Sequence, residues 1–62
     1  MEVTIQKAIL AAVVDDPSKV SGVPTFVAKD DASRQNKALY LSRILQGAVH
    51  DLGDGVLIVV KH

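Results

Sequence analysis

Two rhythms of apolar and polar positions run along this chain, and the change between them falls at residues 53–55. From residue 31 to 52, Ala38, Leu41, Ile44, Leu45, Ala48, Val49 and Leu52 recur at three- and four-residue spacings, which sets them on one stripe of a helical wheel. Asp30 or Asp31 stands where an N-cap carboxylate accepts from the first free amide groups. Gly53 stands where a left-handed cap ends a helix. The spacing therefore predicts one long amphipathic helix over 31–52. Asp54-Gly55 turns from it into Val56-Leu57-Ile58-Val59-Val60, a run without a polar position, as in a strand covered on both faces.

Residues 2–14 fit two templates equally well. Ile5, Ala8, Ile9, Ala12 and Val13 make a helical stripe, while Val3, Ile5, Ile9, Ala11 and Val13 share one side of a strand. A central strand at 56–60 needs neighbours on both edges, which favours the strand. Residues 15–22 hold Asp15, Asp16, Pro17, Ser18, Ser21 and Gly22 and read as a loop. Residues 23–29 read as a further strand with Pro24 at its start, which fits an edge position; the isomer of the Val23–Pro24 bond is left open. The expected architecture is a small single α+β domain over residues 1–62, in the order β-β-α-β, with the helix on a three-stranded sheet. The alternative is α-β-α-β.

Length and composition turn this architecture toward association. A 62-residue chain buries only about 60% of its unfolded surface, and without cysteine it has neither disulfides nor thiolate metal sites to supplement its core. Oligomerisation is the remaining supplement. One helix covers one face of the last strand, so a second copy is expected to pack sheet to sheet or to pair strand to strand. A helix at 2–14 would supply that cover instead. Hydrophobic residues make up 48% of the chain, and Phe26 and Tyr40 are its only aromatics, so the core must be aliphatic. Seven basic residues balance seven acidic ones, which removes the long-range attraction of a typical nucleic-acid or membrane-surface binder. The apolar runs at 8–14 and 56–60 fall short of the roughly 20 residues that cross a bilayer. Glu2 occupies a position where a secretion signal would be basic. A soluble cytoplasmic protein without membrane contact is expected.

Residues with chemical potential are few. Asp15 and Asp16 lack the alternating oxygen ligands of a cation loop and suit a turn. His50 would need a second group to orient it, and Asp51, adjacent on a helix, does not face it; a histidine near a helix C-terminus is accounted for by the dipole. His50, Asp54 and His62 match no metal-ligand spacing, and Ser18, Ser21, Ser33 and Ser42 lie in no nucleophile motif. Neither enzyme activity, cofactor nor metal is expected. Leu39, Tyr40, Arg43 and Gly47 project from the polar side of the expected helix, and a glycine beside an aromatic permits close approach, so these four are candidate partner contacts. Lys29, Arg34, Lys37 and Arg43 concentrate basic charge and are candidate nucleic-acid contacts. The leading expectation is a non-enzymatic, self-associating, protein-binding regulatory or accessory module. The alternative is a dimeric nucleic-acid binder.

Overall fold

A computed structural model of the chain describes residues 9–61. Strand β1 spans Ile9–Val14, one turn of 3-10 helix follows at Pro17–Lys19, and strand β2 spans Thr25–Val27. Helix α1 spans Asp31–Leu45, strand β3 Gly47–Gly53 and strand β4 Val56–Lys61. The strands form one mixed sheet in the order β2-β1-β4-β3, with β1 and β2 parallel and the other two pairs antiparallel. The domain is α+β, as the hydrophobic pattern implies, but its sheet has four strands among the described residues rather than three.

The last strand is central, with β1 on one side and β3 on the other. This suits its sequence: an uninterrupted aliphatic run is typical of a strand with neighbours on both sides. β1 supplies the neighbour expected from the N-terminal segment, and residues 9–14 are strand rather than helix. The remainder of the 2–14 stretch lies outside the described residues. Between Ile9 and Ala11 the register shifts by one, so Leu10 is an extra residue bulged against β4. The Val23–Pro24 bond is trans. β2 is an edge strand of three residues starting immediately after Pro24, where the missing amide does no harm.

The helix departs from the expected bounds. Asp30 is its N-cap, accepting from the Ser33 amide at 2.9 Å. It ends at Leu45, seven residues before Leu52. Gln46 takes the left-handed conformation (φ 58°, ψ 48°) and donates its amide to the Ser42 carbonyl, closing the helix where Gly53 was expected to do so. Ala48, Val49, Leu52 and Gly53 are therefore strand residues, and 54–55 is a hairpin turn. Asp54 (φ 55°) and Gly55 (φ 77°) form its two-residue loop, with the positive φ pair that suits the right-handed twist of an antiparallel hairpin. The physical reason is that the helical spacing of Leu45, Ala48 and Val49 does not exclude a strand, in which Ala48 and Val49 fall on opposite faces beside Val60 and Val59. Pairing with β4 gives these residues ladder hydrogen bonds and sheet burial that a longer helix would forgo.

The core lies between α1 and one face of the sheet. Val13, Ala28, Ala38 and Leu57 are buried together, with Leu41 and Val49 against them. Ala38 is completely buried, and its small side chain lets the helix lie close on the strands. Ala11 and Val59, cross-strand partners on that face, are also buried. Because successive strand residues point to opposite faces, Val56, Ile58 and Val60 of β4 point away from the helix. No helix of the described residues is long and apolar enough to cross a membrane.

Candidate protein interface

Apart from Phe26 and Val27 on the edge strand β2, 41% and 43% exposed, two surfaces of this small fold display apolar side chains. The first is the outer face of α1. Ala38 and Leu41 pack toward the sheet, with Arg34 nearly buried beside them and Leu45 at the margin, 38% exposed, which sends Leu39, Tyr40, Arg43 and Ile44 outward as two adjacent i, i+4 pairs. Leu39 is 44% exposed, Tyr40 61% and Ile44 73%. Leu39, Tyr40 and Arg43 thus stand together as the sequence suggested. Ile44 was assigned to the core stripe and belongs instead to this exposed patch. The signal for it was the glycine at 47: a helix that stops before it takes its core direction from 34, 38, 41 and 45, and 44 then falls outside.

Gly47 does not join the patch. It is the first residue of β3, and an added Cβ would stand 2.6 Å from the Val60 carbonyl oxygen and 2.8 Å from a Val59 methyl. Its small size serves the seam between β3 and β4 rather than an outside partner.

The four basic candidates are not gathered into a stripe. The Arg34 side chain is 11% exposed; its Nη1 donates to the carbonyls of Ala28 (3.0 Å) and Lys29 (2.7 Å), and its Nη2 lies 3.5 Å from Asp31 Oδ1. That guanidinium ties the end of β2 to the start of α1 and is not free for phosphate. Lys29, Lys37 and Arg43 are exposed, but Lys29 and Arg43 lie fourteen residues apart at opposite ends of the helix, about 20 Å along its axis.

The second surface is the sheet face turned away from α1. Val56, Ile58 and Val60 are half-buried there, flanked on β3 by Ala48 and His50, the cross-strand partners of Val60 and Ile58. Ala12 and Val14 of β1 are already fully buried, so the accessible part is the strip formed by β4 and β3. No second helix or sheet among the described residues covers that strip. None of these residues carries an acidic or a lysine or arginine side chain. Leu52, 61% exposed at the register shift near the hairpin, extends the apolar character of β3.

The acidic loop is structural. Asp16 accepts from the Ser18 amide (3.0 Å) and hydroxyl (2.8 Å) and caps the 3-10 turn, and these hydrogen bonds hold its carboxyl below the ordinary value. Lys19 Nζ lies 3.0 Å from Asp15 Oδ1 and 3.6 Å from Asp54 Oδ1, and it donates to the Asp54 carbonyl at 2.6 Å. The ammonium lowers the Asp15 pKa and is itself raised by that carboxylate. The contact fastens the 15–19 loop to the β3–β4 turn. Gly55 completes it, since a Cβ there would overlap the Asp15 carboxylate. His50 is exposed on β3, and Asp51, the next strand residue, points to the opposite face. Among the described residues no three His, Asp or Glu side chains are placed to hold a metal ion. His62 lies outside the described residues.

Comparison with known proteins adds a family. A family model described as "Capping complex subunit for YIEGIA" matches residues 6–62. The chain is also similar to the uncharacterized protein YpzH of Bacillus subtilis (strain 168), at 33% identity over 63 residues, covering 100% of this chain and 98% of that protein. No solved structure matches it.

Proposed function

The chain belongs to the family of capping complex subunits for YIEGIA, and on that premise we propose that it is a small non-enzymatic accessory subunit of such a complex, one that binds other protein chains and associates with itself. The observation that carries this reading is the open strip of Val56, Ile58 and Val60 on the central strand. Among the described residues one α-helix lies on the sheet and covers one of its two apolar faces. The family description supports a role as one piece of a larger assembly, and the strip is where such a piece lacks a second layer.

The strip suits a second copy in particular. Sheets packed face to face stand about 10 Å apart and interdigitate aliphatic side chains. A face without acidic, lysine or arginine side chains meets its own copy with no like-charge repulsion and needs no counter-charge. Sedimentation of the full chain at micromolar concentration, beside Ile58→Lys, tests this: dimers or larger species for the parent and monomers for the variant. A parent that sediments as a monomer removes the self-association. Co-expression with YIEGIA tests the subunit role, and failure of the two to co-purify removes it.

A further inference from the structure

We propose that the outer face of α1 is a second docking site, for an amphipathic helix of a different protein that presents a carboxylate at the centre of its apolar stripe. This surface lies on the side of the domain opposite the sheet strip, and the inference does not depend on self-association there. Leu39, Tyr40 and Ile44 give it three large exposed apolar side chains within two turns of a helix, a spacing that a second helix laid along α1 reads with i, i+3 and i+4 anchors. Tyr and Arg at the centre of such a patch are the side chains that most often dominate binding.

Charge selects the occupant. Beyond Asp31, every charged residue of α1 is basic: Arg34, Lys37 and Arg43. Arg34 is held within the domain, as described above. Arg43 stands among Leu39, Tyr40 and Ile44, and among the described residues it makes no ion pair. A two-fold contact of α1 with a second copy would bring two Arg43 guanidiniums within about one helical turn of each other, so the patch rejects its own copy. An Asp or Glu on the partner gives Arg43 a paired, bidentate contact in the middle of an apolar surround. An anionic lipid surface is a poorer match, because Lys37 and Arg43 are the only exposed cations on this face and the chain as a whole is neutral.

The test places the photoreactive phenylalanine derivative p-benzoylphenylalanine at Tyr40 in the full chain in its native cells, with crosslinked peptides identified by mass spectrometry. The expected product is a segment of another protein with an acidic residue within one helical turn of the crosslinked position. Arg43→Glu should lower its yield about tenfold, and Asp or Glu to Arg in the partner should restore it. Arg43→Gln, which removes the charge without inverting it, should fall between, and circular dichroism should show both variants folded. A crosslink to this chain itself, to lipid alone, or to nothing overturns the proposal, as does a yield indifferent to Arg43→Glu. Loss of self-association in the Ile58→Lys chain leaves the expected crosslink in place, so the two readings fail separately.

Discussion

Gly47 and Val60 meet with no room for a methyl group between them: a Cβ on Gly47 would stand 2.6 Å from the Val60 carbonyl oxygen. The obstacle is backbone of the central strand, which cannot swing aside. Gly47→Ala is therefore expected to destabilise the fold by about 1–3 kcal/mol, the usual range for overpacking. A helix running through residue 47 would respond in the opposite sense, gaining roughly 1 kcal/mol from the same substitution. Thermal unfolding followed by circular dichroism reads the sign directly.

The core beneath α1 and the outer face of the helix should differ as sharply. Leu57, 3% exposed beneath the helix, is expected to lose about 2–5 kcal/mol on replacement by Ala. Ile44→Ala on the outer face should stay within about 0.5 kcal/mol of the parent. A large loss at Ile44, measured by urea unfolding of the two variants side by side, would return that residue to the core.

Gln46 holds a left-handed conformation that side chains adopt at a cost of roughly 1–2 kcal/mol. Gln46→Gly should relieve part of that cost and raise the melting temperature, while Gln46→Val should lower it. Calorimetry on the two variants gives the order; Gly below Val would contradict the cap.

Acid and alkali should act through the loop. Asp15, Asp16 and Asp30 have carboxyls held below the ordinary 3.8, by Lys19, the Ser18 amide and the Ser33 amide respectively. A folded pKa lower than the unfolded one stabilises fully above 3.8, and that contribution is lost as pH falls through the folded value. Lys19 is raised above 10.5 by Asp15, so its contribution is complete below 10.5 and lost as pH climbs through the folded value. Melting temperature against pH should show both falls. Lys19→Met should shallow the alkaline one and reduce the Asp15 share of the acid one, leaving the shares of Asp16 and Asp30 in place.

The parts of this fold legible in the sequence are those fixed by local chemistry or by an unmistakable run. Asp30 announces the helix because a carboxylate satisfies its free amides, and Val56–Val60 announces a central strand because no exposed position could hold it. The stretch from Gly47 to Leu52 was misread because an apolar spacing of three and four residues satisfies a helix wheel while also placing Val49 on the inner side of a strand. What decides between them is pairing with β4, a contact made across the sheet and invisible along the chain. Gly47 and the Gly53-Asp54-Gly55 turn carried the warning. The outward patch was legible at Leu39, Tyr40 and Arg43, which depart from the apolar stripe under either reading. Ile44 was not, since its direction depends on where the helix stops.

The sheet order has a consequence for how the molecule comes into being. Its inner strands, β1 and β4, are the first and last of the four in sequence, and β2, α1 and β3 are strung between them. No fragment that lacks either end of this order contains a complete core. A nascent chain thus has nothing stable to form until residues 56–61 have left the ribosome, and the sheet then closes in one late, long-range step. Until that moment its aliphatic strands are open to proteases and to one another.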